Sequence, residues 1–531
     1  MNCENCNQLF IIDNQEKKFY QEKNISIPKL CPDCRQQRRM AFRNERKLYK
    51  RSCDLCQKNI LSIFSPGKDL IVYCLECYWS DKWSAKNFAQ EFDFDKPFLD
   101  QLGELRKKVP QMALYSLTQT SDNCAFTNDI IRCKNCYLVF DGEQAEHSMY
   151  GETFYKINEC LDFYYLLKCE LCYECNNCGQ CYGLKYCSFC ENCVDSWFLR
   201  DCMGCTNCFG CANLINQNYC IYNKEYSREE YDNFINKLNL NNYQEVIQLK
   251  SKVTKHFNKH PVKNIRGYSN EKVSGDNLYY CKNAEHCFDS DEVNNCKYCY
   301  QLILGGKDSM DIDIFGQIEN CYECAGVGHN VRNIIASYYI FDKCYDIQHS
   351  IFCHKGCHDL FGCVGLQKAS YCILNKQYSK QEYEKLLPQI INHLKEGGIY
   401  GQFFPIEFSM FSYNETIAQD YYPLNKDQVI NNGWKWKQEK QNKINLDLPL
   451  CASCSNNFNI TSQEKEFYQK LNVPEPKKCF NCRHLDRLKL RNPRKLWLRQ
   501  CAKCNTNIQT TYSSNQKEIV YCEHCYKQEV Y

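Results

Sequence analysis

The chain has 531 residues, 44 of them cysteine, and 66 Lys plus Arg nearly cancel 63 Asp plus Glu, leaving a formal net charge of +3. Such a length exceeds one ordinary core and predicts several domains. No window approaches the ~18 apolar residues of a membrane span, and the start MNCENCNQLF lacks the basic-then-apolar order of a secretory leader. No membrane association and a cytoplasmic, reducing setting are therefore expected, where clustered cysteines are metal ligands before they are disulfides.

Residues 1–84 carry the first cluster. Cys3-x2-Cys6, Cys31-x2-Cys34, Cys53-x2-Cys56 and Cys74-x2-Cys77 are separated by 24, 18 and 17 residues. Such pairs, taken two at a time, make the four-thiolate tetrahedron that closed structural zinc prefers. Hairpin-like runs lie between them, for example ILSIFSPGKDLIVYC with Ser65-Pro66-Gly67-Lys68 as its turn. In LCPDCRQQRRMAFRNERKL, Pro32 suits the first turn of a helix that carries the second pair. Knuckle, hairpin and ligand-bearing helix together read as a double treble clef. Residues 29–58 hold ten Lys or Arg against three acids, with Arg35, Arg38, Arg39, Arg43, Arg46 and Arg51 interleaved with Phe42 and Tyr49. Closely spaced arginines suit a phosphate backbone and aromatics suit unpaired bases, so nucleic acid is an expected partner, RNA ahead of duplex DNA. A solvated or protein-binding face is the alternative.

A helical connector is expected over 85–120, with short helices in SDKWSAKNFAQEF and KPFLDQLGELRKK. Residues 121–225 then change character. CELCYECNNCGQC (169–181) places cysteine at every third position, and all seventeen cysteines from Cys124 to Cys220 share that register. Written in rows of twelve, the same columns otherwise hold small or apolar residues such as Val139, Gly142, Ala145, Leu184 and Ser196. A period of three within twelve is neither helix nor ordinary strand. It predicts a tight β-solenoid in which each coil turns four small residues inward, with cysteine as a compact apolar filler. An iron–sulfur cluster, additional zinc or a disulfide ladder are the rivals.

Residues 226–276 read as helix and linker, and 277–376 as a second, interrupted solenoid. NYCIYNKEYSREEY (218–231) recurs as SYCILNKQYSKQEY (370–383), while the cysteine register changes after Cys299, Cys324 and Cys353. The last break lies in CHKGCH, where Cys353, His354, Cys357 and His358 form a candidate metal group, against a kinked loop with exposed histidines. Ser227 with Glu230 and Ser379 with Glu382 are capping boxes, so a helix is expected to cover the open end of each stack. Residues 377–449 form a helix and an aromatic-rich connector. Its segment 400–424 is expected to pack on a solenoid flank, with an interaction surface as the alternative. Both solenoids are acidic, so basic ends and acidic middles either clamp one another or keep phosphates at the ends.

Residues 450–531 repeat the first module at a constant offset. Cys451, Cys454, Cys479, Cys482, Cys501, Cys504, Cys522 and Cys525 reproduce the three separations, and QEKKFYQ, RNERKLYKR and IVYCLECY return as QEKEFYQ, RNPRKLWLR and IVYCEHCY. Arg483, Arg487, Arg491, Arg494 and Arg499 repeat the basic run, with Trp497 among them. On these motifs the two ends resemble a family of uncharacterised bacterial proteins with treble-clef zinc ribbons, a resemblance that implies zinc and little else. The chain thus reads as multidomain α+β, with zinc modules at both termini flanking two cysteine-cored solenoids. Four Zn2+ ions are expected. The expected function is a non-enzymatic zinc protein associated with nucleic acid; the alternative is a protein-interaction scaffold. No phosphate loop, G-x-S-x-G or H-E-x-x-H occurs, no small-molecule substrate is evident, and a redox role for exposed cysteines stays open.

Overall fold

Cysteine at every third position would scatter around a helix and alternate across a strand, so neither element can gather it on one side. The backbone instead turns at the same interval. In the computed structural model, which describes residues 1–116, 120–302, 305–313, 321–328, 330–438, 445 and 447–531, Asn135, Leu138, Asp141 and Gln144 have φ of 53, 51, 56 and 59°. Each precedes an inward residue, and the pattern runs from Asn123 to Tyr222. A left-handed residue other than Gly costs about 1–2 kcal/mol, and Asn and Asp, which bear it best, recur at these positions.

Stacking offsets that cost. Successive coils pair in parallel twelve residues apart, Val139 with Gly151 and Gly151 with Phe163, and single bridges carry the ladder on to Phe209 and Ile221. The ladder takes the amides on both sides of each inward residue: Lys134 N–H donates to Ala145 O at 2.8 Å and Asn135 N–H to Asp122 O at 3.1 Å. The inward amide itself is left over, and the side chain one coil earlier accepts it. Leu199 N–H meets Cys187 Sγ at 3.3 Å, and Cys208 N–H meets Ser196 Oγ at 3.0 Å. In turn the Cys187 thiol donates to Lys185 O at 3.3 Å, as the Ser196 hydroxyl does to Val194 O at 2.8 Å. The lumen thiols are core, as expected, buried from Cys133 to Cys220. They also satisfy an amide and a carbonyl that an aliphatic residue would leave without partners.

The second solenoid begins at Gly267, ahead of the expected 277, since Gly267 and Tyr268 already pair with Leu278 and Tyr279. Its broken register has a simple cause. Gly275 pairs with Cys287 and Leu360 with Cys372, twelve residues on. Val293 pairs with Gly306, Ala325 with Tyr338 and Tyr345 with His358, thirteen residues on. A coil that gains one residue shifts every later cysteine by one without opening the wall.

Both stacks end alike, and not by the helix expected there. A hairpin folds back on the last coil, Cys220–Ile221 against Lys224–Glu225 and Cys372–Ile373 against Lys376–Gln377. In its bend sits an asparagine that imitates the peptide group of a missing coil. Asn375 Oδ1 accepts Val364 N–H at 2.8 Å and its Nδ2 donates to Val364 O at 2.8 Å; Asn223 does the same for Ala212. The capped helices Arg228–Asn236 and Lys380–Glu396 follow and pack on the flank, Phe234 on Phe209 and Tyr383 on Tyr371.

The chain divides into two units. One comprises residues 1–114, 265–437 and 494–496, the N-terminal module with the second solenoid. In it the expected helix over 80–92 is a single 3-10 turn, Ala85–Phe88, whereas Phe98–Lys108 is helical. The segment 400–424 packs against the solenoid and the module, with Tyr400 donating to Gln348 at 2.9 Å and Phe411 stacked on Phe64. The other unit comprises residues 115–264, 438–493 and 497–531, the first solenoid with the C-terminal module. Both modules add a strand to a connector strand in parallel, Val72–Tyr73 to Gln111–Met112 and Val520–Tyr521 to Val262–Lys263. Among the described residues no helix is long and apolar enough to cross a membrane.

Asn375 is fully buried and its amide also donates to Ala85 O at 3.0 Å. Asn375→Asp sets a carboxylate against two carbonyls and is expected to destabilise this unit by about 1–3 kcal/mol or more, read as a lower denaturant midpoint. An unchanged midpoint would remove the asparagine from its role as terminator.

Candidate metal centres and their arginine clasps

Each terminal module brings its eight cysteines into two groups. Cys3, Cys6, Cys31 and Cys34 converge, as do Cys53, Cys56, Cys74 and Cys77, then Cys451, Cys454, Cys479 and Cys482, and finally Cys501, Cys504, Cys522 and Cys525; within a group all sulfurs lie within 4.8 Å. The local chain repeats four times. After the first pair, Asn7, Gln57, Ser455 and Asn505 turn left-handed, with φ of 56, 60, 58 and 60°. That bend aims backbone amides at the sulfurs. The second pair begins a helix with its first cysteine as N-cap: Cys31, Cys74, Cys479 and Cys522, all extended. The amide of that cap donates to the first cysteine of the group at 3.2 Å in all four, as from Cys31 to Cys3 and from Cys522 to Cys501.

A tetrahedron with metal–sulfur bonds of about 2.3 Å has sulfur–sulfur edges of roughly 3.8 Å. Cys6 and Cys31 are 3.7 Å apart, Cys56 and Cys74 3.8 Å, Cys454 and Cys479 3.8 Å, and Cys504 and Cys522 3.7 Å. Thiols this close resist joint ionisation without a cation. Cys31 is held down to about 5, chiefly by its hydrogen bond with Cys34, and the same bond pushes Cys34 up. Burial opposes ionisation of Cys53 and Cys451, yet backbone amides bring them to about 7 and about 6. The four sets could therefore each hold a metal ion in donor type, geometry and amide support.

One expected detail differs. In each second centre the knuckle itself is the hairpin turn, joining Tyr49–Ser52 to Asn59–Ser62 and Trp497–Gln500 to Asn507–Thr510, while Ser65–Lys68 only leads on to the next strand. In each first centre a capped helix, Asn14–Glu22 or Ser462–Leu471, replaces the hairpin. Nor do Cys353, His354, Cys357 and His358 gather. The two thiols donate to backbone carbonyls, His354 is buried against Tyr78 and Trp79 rather than exposed, and His358 pairs with Asp359 at 2.7 Å.

The ligand-bearing helices place their arginines inside. Arg35 reaches Asp311 at 2.9 Å, and Arg39 reaches Asp311 at 3.2 Å and Asp313 at 2.7 Å. Arg38 pairs with Glu323, and Arg43 with Glu45. In the other unit Arg487 contacts Asp162 at 2.8 Å, and Arg483 contacts both Asp162 and, at 3.3 Å, Glu464. The two sets correspond through the duplication: an arginine pair one helical turn apart straddles one buried solenoid aspartate, itself at a left-handed position. Arg494 pairs with Asp289 at 2.9 Å. These seven were expected to face solvent, and this is corrected: unpaired burial of a guanidinium is so costly that each closes on a carboxylate. Arg46 and Arg51 are nearly covered, at 3.7 Å from Asp420 and 3.0 Å from Asp54. Arg491 lies over the Tyr164 ring and Arg499 donates to the carbonyls of Ser513 and Glu518. The clasp carboxylates were not singled out from the sequence, although an arginine pair repeated at one offset was the signal.

Asp162→Asn leaves Arg483 and Arg487 buried without their shared charge and is expected to cost about 3–5 kcal/mol. The check is a denaturant midpoint, with metal content unchanged because no ligand is touched; an unaltered midpoint would show that the clasp does not hold the module.

With this geometry in hand, comparisons place residues 1–43 in a match to the family model described as "Probable treble clef domain". No curated protein matches the chain. Among solved structures, a "putative acetyltransferase" from Desulfovibrio desulfuricans G20 aligns with 11% identity over 50% of this chain and 69% of that one, at a TM-score of 0.10. So low a score carries no argument about fold or activity. Residues 1–43 are thus similar to a treble-clef domain.

Proposed function

We propose that the chain is a non-enzymatic zinc protein in which four Zn2+ ions hold treble-clef clasps on thiol-filled solenoids, making a rigid scaffold for a protein partner. Zinc suits an all-thiolate tetrahedron, and four protein ligands leave no position for water, so the ion cross-links and does not catalyse. The observation that carries this reading is the double clasp on Asp162 and Asp311. Arginines closed on buried carboxylates are not available to a phosphate backbone, whereas solenoid faces offer extended surfaces.

Native mass spectrometry of protein prepared under reducing conditions is expected to give four zinc ions per chain and no nucleic acid. Single-stranded RNA is expected to escape retention at about 0.15 M salt. RNA that co-purifies and is released along a steep salt dependence would return the function to nucleic-acid association. Fewer than four zinc ions would take one clasp out of the proposal. Stripping the metal is expected to open the modules first, so limited proteolysis should cut within 1–84 and 450–531 before the solenoids.

A further inference from the structure

The helix Tyr243–Phe257 ends beside the terminator of the first solenoid, all within one unit. Its last turn carries His256, and His260 follows one turn later. Their Nε2 atoms are 3.2 Å apart, and His256 Nε2 is 3.1 Å from Asn223 Oδ1. The identity of that oxygen is fixed, since Asn223 Oδ1 accepts Ala212 N–H at 2.9 Å and Nδ2 donates to Ala212 O at 2.7 Å. Asn223 Oδ1 and His260 Nε2 therefore both crowd the one nitrogen His256 Nε2. A single N–H on His256 serves either Asn223 or His260, and in every tautomer one close pair lacks a well-directed hydrogen.

Adding protons does not solve the problem. Burial lowers both imidazoles, His256 to about 4 with His260, Lys259 and Arg200 as further causes, and His260 with Arg200 and Lys259. A cation between the three atoms does solve it. Ligands about 2.0–2.1 Å from a metal lie roughly 3.0 Å apart when octahedral and 3.4 Å when tetrahedral, and the two separations here fall between. The helix C-terminus favours positive charge. Arg200, which donates to the carbonyls of Phe257 and His260, has its own charge met by Asp201 at 3.3 Å.

We infer that His256, His260 and Asn223 form a fifth metal site, of a different kind from the thiolate centres: two imidazoles and a carboxamide oxygen, with remaining positions open, for a divalent transition ion such as Ni2+ or Cu2+. Imidazole donors select this class, and the open positions make it exchangeable where the thiolate centres are closed. The site also ties the connecting helix to the residue that terminates the solenoid.

The test uses the zinc-loaded full chain and Ni2+, because Cu2+ would oxidise thiols. Equilibrium dialysis with both metals counted is expected to show one Ni2+ bound while four zinc ions remain. His256→Gln and His260→Gln are each expected to weaken Ni2+ at least about tenfold without changing the zinc count. His260 lies beyond the helix, so its variant is the safer for folding. Independently of any variant, Ni2+ is expected to protect His256 and His260 of the native chain from acylation by diethylpyrocarbonate. No bound Ni2+, Ni2+ bound only as zinc leaves, or Ni2+ binding that survives the double variant would each overturn the site.

Discussion

A left-handed residue at every third position is the constraint on which the solenoids rest. It closes a coil in twelve or thirteen residues, leaving a lumen too narrow for four large side chains at one level. It also leaves one amide per side outside the coil-to-coil ladder. Cysteine and serine answer both demands, being small and able to accept that amide while donating to a nearby carbonyl. Aliphatic residues such as Ala145, Leu184 and Leu199 also fit the lumen but cannot accept that amide. The inner columns accordingly mix Cys, Ser and Gly with aliphatic residues and occasional Phe, as where Gly151 makes room for Phe163.

The same residue type therefore does two kinds of work. In the lumen, burial pushes thiols such as Cys169, Cys190 and Cys202 up, whereas hydrogen bonds with Cys175 and Cys190 bring Cys187 down to about 6 against its burial. In the modules, amides aimed by a left-handed bend favour thiolates. Module and solenoid are then joined by charge. The helix that starts at a cysteine of a candidate metal centre continues into the arginines that close on a coil aspartate, so thiol cluster, helix and coil form one mechanical series in each unit.

Spacing made the sixteen clustered cysteines legible, because two identical sets of separations are hard to reach by chance. The register of seventeen cysteines made the first solenoid legible for a similar reason. What stayed hidden depended on conformation rather than composition. Nothing in Gln57 or Ser455 announces a left-handed bend, and thirteen-residue coils appear in the sequence only as lost register. Asp162 and Asp311 could not be told from the many other acids of the coils until their arginine partners were placed. Charge segregation had two readings, and burial favours the one in which ends and middles clamp.

The tolerance of the second solenoid for coils of unequal length bears on how such a chain can change. Insertion of a single codon into a wall moves the downstream pattern by one place and leaves the stack closed. The same event inside a Cys-x2-Cys knuckle would separate a ligand pair. Drift in length should accumulate in the repeats of related genes, while the knuckles keep their separations to the residue.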